Sequence, residues 1–63
     1  MDKLNPIKRA RIVAGLRQVD LAKLMGVSTV AVSKWEKGIT LPNVTRIKKL
    51  ATVLNTTAEA LIK

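Results

Sequence analysis

The chain has 63 residues, with twelve Lys and Arg against four Asp and Glu, a formal net charge of +8, and neither His nor Cys. Without cysteine there is no disulfide framework and no thiolate for zinc or nucleophilic attack, and without histidine the commonest metal ligand and general base is missing. A chain this short buries only about 60% of the surface its unfolded form exposes, so one small domain of modest stability, spanning 1–63, is what fits.

Apolar residues make up 48% of the sequence, enough to fold despite the charge and unlike the composition of a disordered chain. The longest apolar runs fall far short of the ~20 residues needed to cross a bilayer, and the start lacks the hydrophobic region of a secretory signal. These features point to a cytoplasmic protein with no membrane partner. An excess of positive charge on so small a surface draws polyanions, nucleic acid foremost. Plain solubility and attraction to anionic lipid are the competing readings.

Three glycines (Gly15, Gly26, Gly38) and two prolines (Pro6, Pro42) cut the chain into short pieces, with no repeat or long linker, and five of the pieces have helical spacing. In the first, Asn5 caps, Pro6 occupies the first turn and Gly15 ends the helix, leaving Ile7, Ala10, Arg11 and Ala14 on one stripe. The second, 18–25, offers Leu21, Ala22 and Met25 as its inner face and stops at Gly26, a residue suited to the left-handed conformation. Ser28 caps a third helix that runs to about Lys37 and closes at Gly38. After a loop over 39–42, Asn43 caps a fourth, with Ile47, Leu50, Ala51 and Leu54 along one side. A short fifth begins at Thr56 or Thr57; Thr56 and Glu59 have capping-box spacing, and Thr57 is an equal alternative. No segment alternates over strand length. The expected fold is therefore all-α, with five helices.

Two short helices across a tight glycine turn, the second capped by serine, have the form of a helix-turn-helix over about 17–37. Gln18, Leu21-Ala22, Gly26-Val27-Ser28, Val32-Ser33, Trp35-Glu36 and Gly38 closely resemble the Cro and phage-repressor family of helix-turn-helix domains. The likeness continues through Leu41-Pro42-Asn43, the Leu50-Ala51 pair and Leu54, so that it covers 7–62. It implies a compact repressor-like DNA-binding domain from a bacterium or bacteriophage. Such a regulator occupies double-stranded operator DNA as a homodimer, each third helix in the major groove of a half-site about one helical turn from the other. Leu61, Ile62 and the loop 39–41 offer apolar surface for pairing, and Ile12, turned away from its helix's stripe, has no assigned role.

The third helix can be checked independently by turning about 100° per residue from Thr29. Thr29, Val30, Ser33, Lys34 and Lys37 fall in one arc, small, polar or basic apart from Val30; Ser28, Ala31, Val32 and Trp35 fall in the opposite, core-facing arc. Trp35, the only aromatic residue, could stack on a base, but beside Val32 it reads as buried packing. In the family this chain resembles, the positions of Thr29, Val30, Ser33 and Lys34 read base edges. Lys34 can donate to guanine O6 and N7, the two hydroxyls can pair with several edges, and Val30 has only methyl groups, which suit thymine methyls.

Phosphate contacts are expected at helix ends, where free amides and the dipole favour an anion. Ser28 is at one such end. By the resemblance, the Gln18 side chain and the amides around Asn43 and Val44 touch the DNA backbone, with Arg17 and Lys37 beside them. Arg17 departs from the family pattern, which more often has a hydroxyl or amide there. A cation at a helix start opposes the dipole and forgoes a cap, so Arg17 reads as trading folding stability for phosphate affinity. The resemblance also implies a partly buried ion pair between Arg11 and Glu36, tying the first helix to the third. Asp20 favours the dipole of the second helix, and nothing more is needed to explain it.

The four carboxylates are scattered, the hydroxyls have no histidine to activate them, and no glycine-rich phosphate loop is present. Neither enzymatic activity, nor a cofactor, nor a small-molecule substrate is expected. Two alternatives share the same helices or charge: a protein-interaction module such as an antitoxin or coactivator-like domain, and binding to RNA or anionic membranes.

Overall fold

A computed structural model describes residues 5–62. All regular structure among them is helical: α1 (Pro6–Val13), α2 (Gln18–Met25), α3 (Thr29–Lys37), α4 (Val44–Val53) and α5 (Ala58–Ile62). None of these helices is long and apolar enough to cross a membrane.

The helix starts follow from side-chain chemistry. Asn5 Oδ1 accepts from the Ile7 amide at 2.8 Å, Ser28 Oγ from Ala31 at 3.1 Å and Asn43 Oδ1 from Arg46 at 2.9 Å, each satisfying an amide that has no partner inside its helix. At the fifth helix it is Thr57 that caps, its Oγ1 accepting from Ala60 at 3.1 Å. The Thr56–Glu59 box does not form. Thr56 instead donates its backbone N–H to Ala51 O at 2.9 Å, closing the end of α4.

Helix ends rely on the left-handed backbone. Gly26 (φ 71°) and Gly38 (φ 75°) each follow the last helical residue. The next amides, of Val27 and Ile39, then reach back to Ala22 O and Lys34 O, both at 3.0 Å. Such a turn after α2 leaves only Val27 and Ser28 before α3, which fixes the helix-turn-helix connection.

The core gathers Ile7, Leu21, Ala22, Met25, Val32, Trp35, Ile47, Leu50, Ala51, Leu54 and Leu61, with Ala10, Leu16, Val27, Ala31, Val53 and Ala58 packed around it. Helix α1 packs on α3 and α5, α2 on α3 and α4, and α4 on α5. Two sequence expectations need correction. Ala14 is exposed, because α1 ends at Val13 and the chain turns through Ala14 and Gly15 before it could join the buried stripe. Leu61 belongs to the core and is no surface residue, since α5 folds back on α1 and α4.

Candidate nucleic-acid interface

Helix α3 has one face committed to packing and one free. Val32, Trp35 and Glu36 are buried and Ala31 is half-buried, whereas Thr29, Val30, Lys34 and Lys37 are exposed. Ser33, one turn beyond Thr29, is half-buried at the edge of the free face. Ser28, placed by angle on the core side, is exposed: as the cap it lies before the helix proper. Val30 is 62% exposed, so its methyl groups are available to a partner.

Beneath this face Glu36 fixes α3 against its neighbours. Arg11 Nε donates to Glu36 Oε2 at 2.6 Å, Arg11 Nη2 to Oε1 at 3.2 Å, and Gln18 Nε2 to Oε1 at 3.0 Å. Arg11 Nη1 also donates to the Leu16 carbonyl at 2.7 Å. One carboxylate thus joins α1, the start of α2 and α3, and no buried side-chain polar atom among the described residues lacks a partner. Asn5 adds a second tie, its Nδ2 donating to the Trp35 carbonyl at 3.2 Å near the end of α3. Helix α3 is consequently held from both sides. Gln18 keeps a second amide hydrogen and its carbonyl oxygen beyond the bond to Glu36.

At the start of α2 the structure departs from the expectation of a lone cation. Asp20 Oδ2 accepts from the Arg17 backbone N–H at 2.9 Å and from Arg17 Nε at 2.9 Å, while Oδ1 accepts from Arg17 Nη2 at 3.0 Å. The carboxylate therefore offsets the charge of Arg17 beside the dipole, supplies half of a capping box, and does far more than favour the dipole by its sign. Hydrogen bonds from the Arg17 side chain and then its backbone hold the Asp20 carboxyl down at about 2, from an ordinary 3.8. The same bond raises the Arg17 guanidinium. Because the folded-state value is depressed, the pair's stabilising effect is complete above 3.8 and fades as pH falls toward about 2. The difference in melting temperature between wild type and Asp20→Asn should hold steady near neutrality and close across that acid window. A gap unchanged down to the bottom of the window would mean that the carboxylate does not contribute as an anion.

Asn43 and Val44 are exposed at the start of α4, with the Asn43 side chain occupied by Arg46 N and the first amides of the helix left open. Helix α4 packs on α2, so both helices with open first amides belong to one packed unit. Among the described residues no carboxylate pairs with Lys34 or Lys37; Asp20 and Glu36 are both taken by arginines. The free face of α3 is accordingly basic and uncompensated.

A helix-turn-helix family matches residues 7–61. The chain belongs to that family. The repressor protein C2 of Salmonella phage P22 is 37% identical over 57 residues, which is 90% of this chain and 26% of that protein. The chain thus spans about a quarter of that relative's length. No solved structure matches it. The sequence reading missed the partners of Arg17 and Gln18. The Arg17–Asp20 spacing, that of a helix cap and its third residue, was the available signal for the first; for the second, eighteen residues away, there was none.

Proposed function

We propose that this chain is a transcriptional regulator that binds operator DNA as one helix-turn-helix domain, with α3 in the major groove. The observation that carries the reading is the divided character of α3: one side is locked by Val32, Trp35 and Glu36, the other left basic and unpaired. A relative named as a repressor supports it. In this reading Thr29, Val30, Ser33 and Lys34 touch base edges, while Arg17, Gln18, Ser28, Lys37, Asn43 and Val44 hold phosphates. Two copies bind a two-fold site, meeting through the apolar groove bordered by Leu41 and Ile62, both exposed.

Titration of a mixed-sequence duplex at increasing KCl tests the electrostatic part: log affinity should fall linearly with log salt, by about 0.9 for each phosphate held. Selection of bound sequences from random duplexes tests the rest, and should return a two-fold site whose halves lie about one helical turn apart. Binding without salt dependence, or selection that enriches nothing, would overturn the assignment. Val30→Ala should weaken binding mainly on sites that carry thymine at one step, by about 1 kcal/mol, the scale of one apolar base contact. Equal weakening on every sequence would remove Val30 from the base-reading set.

A further inference from the structure

We propose that Asp20 restrains Arg17 and so sets how strongly the start of α2 grips the DNA backbone. The inference rests on the DNA-binding reading above and concerns the strength of that same contact. Arg17 has 78% of its side chain exposed, yet its Nε and Nη2 edge is held in a two-pronged pair by one carboxylate. That edge is the one with which a guanidinium grips a phosphate two-handed. The carboxylate is itself fixed from below by the Arg17 backbone N–H at 2.9 Å, so it is not a loosely wandering surface acid. Lys23, exposed one turn further along α2, is the other charge acting on Asp20.

An exposed ion pair of this kind contributes a measurable but small part of the folding stability. Its consequence lies in the charge it hides. A phosphate approaching the start of α2 meets a guanidinium whose gripping edge is already occupied. The Arg11 pair is buried and joins two helices, whereas the Arg17 pair joins the cap of α2 to a residue three further along the chain. Because every sequence carries the same phosphates, the restraint weakens specific and non-specific binding alike and leaves sequence preference untouched.

The test uses the full chain and a mixed-sequence duplex, followed by fluorescence anisotropy over a KCl series, together with the preferred site once selected. Asp20→Asn keeps an oxygen for the Arg17 amide and removes the charge; Asp20→Ser is a second variant with the same intent. Either should tighten binding about three- to tenfold at low salt, the scale of one charge several ångströms away in a largely aqueous setting, and steepen the salt slope by about 0.9. The gain should be equal on both duplexes and should vanish in Arg17→Gln/Asp20→Asn. Thermal melts and Trp35 emission check folding of each variant. Unchanged or weaker binding by Asp20→Asn, a gain that survives loss of Arg17, or a gain confined to one sequence overturns the restraint while wild-type binding still stands. A wild-type chain with no salt-dependent binding at all overturns the DNA reading and the restraint with it.

Discussion

Glu36→Ala should destabilise this protein severely, and more than replacement of both partners in Arg11→Met/Glu36→Leu. The carboxylate is 3% exposed and the Arg11 side chain 12%, so truncating Glu36 leaves a largely buried guanidinium with only the Leu16 carbonyl at 2.7 Å, and leaves the Gln18 amide unpaired. Breaking such a pair from one side costs about 3–5 kcal/mol. A chain of 63 residues has about 3–9 kcal/mol to lose, at the usual 0.05–0.15 kcal/mol per residue. The single variant should therefore melt at least ~15 °C lower or fail to fold. The double variant removes both charges and their desolvation, and should fall within a few kcal/mol of wild type on either side. Trp35, buried next to Glu36 and the only aromatic side chain, gives a direct readout through its emission during urea unfolding, with far-UV circular dichroism as a second probe. If the double variant proved as unstable as the single one, the cost would lie in lost packing at the joint rather than in a stranded charge.

The helices were legible because their ends are written in local chemistry. Asn5, Ser28 and Asn43 each place an oxygen where the helix has a spare amide, and Gly26 and Gly38 occupy left-handed backbone where other residues are strained. The start of α5 was less clear, because two adjacent threonines offer the same oxygen and only packing of the preceding turn decides between them. Leu61 reads as surface in the sequence for a related reason: a helix of five residues is too short for periodicity to separate a buried face from an exposed one. Ala14 falls on the sequence stripe yet is exposed, because helical spacing alone does not show that the last turn has already unwound.

Charges were harder still. The sequence sets Arg17 and Asp20 each against the helix dipole, whereas the structure pairs them with one another; a dipole argument treats charges singly and misses a partner one turn away. Arg11–Glu36 came from family resemblance, since nothing in the local pattern links residues 25 apart. The bonds from Gln18 to Glu36 and from Asn5 to the Trp35 carbonyl span 18 and 30 residues and depend wholly on how the helices cross. The free face of α3, by contrast, follows from angular spacing alone, because burying Val32 and Trp35 forces Val30 and Lys34 outward.

Exchanging the four outward side chains together, as Thr29→Ala, Val30→Ala, Ser33→Ala and Lys34→Gln, should erase sequence preference while sparing the fold. Thr29, Val30 and Lys34 are exposed and Ser33 half-buried, and alanine in place of two exposed β-branched residues favours the helix slightly. Stability should stay within about 1 kcal/mol of wild type. A specific site is ordinarily bound 10³-fold or more above random duplex, and losing each base contact costs about 1–3 kcal/mol, so four losses are enough to bring that ratio near one. Binding to any duplex should persist through the phosphate contacts, with the salt slope close to that of wild type, because no phosphate-holding residue is removed. The decisive measurement is therefore the ratio of affinities for the selected site and a scrambled one, in the same buffer, for a variant whose melting curve overlays wild type. A ratio that survived the exchange would mean that the chain reads groove shape and DNA stiffness through its phosphate contacts, and α3 would then be a wedge that positions the domain rather than the element that reads bases.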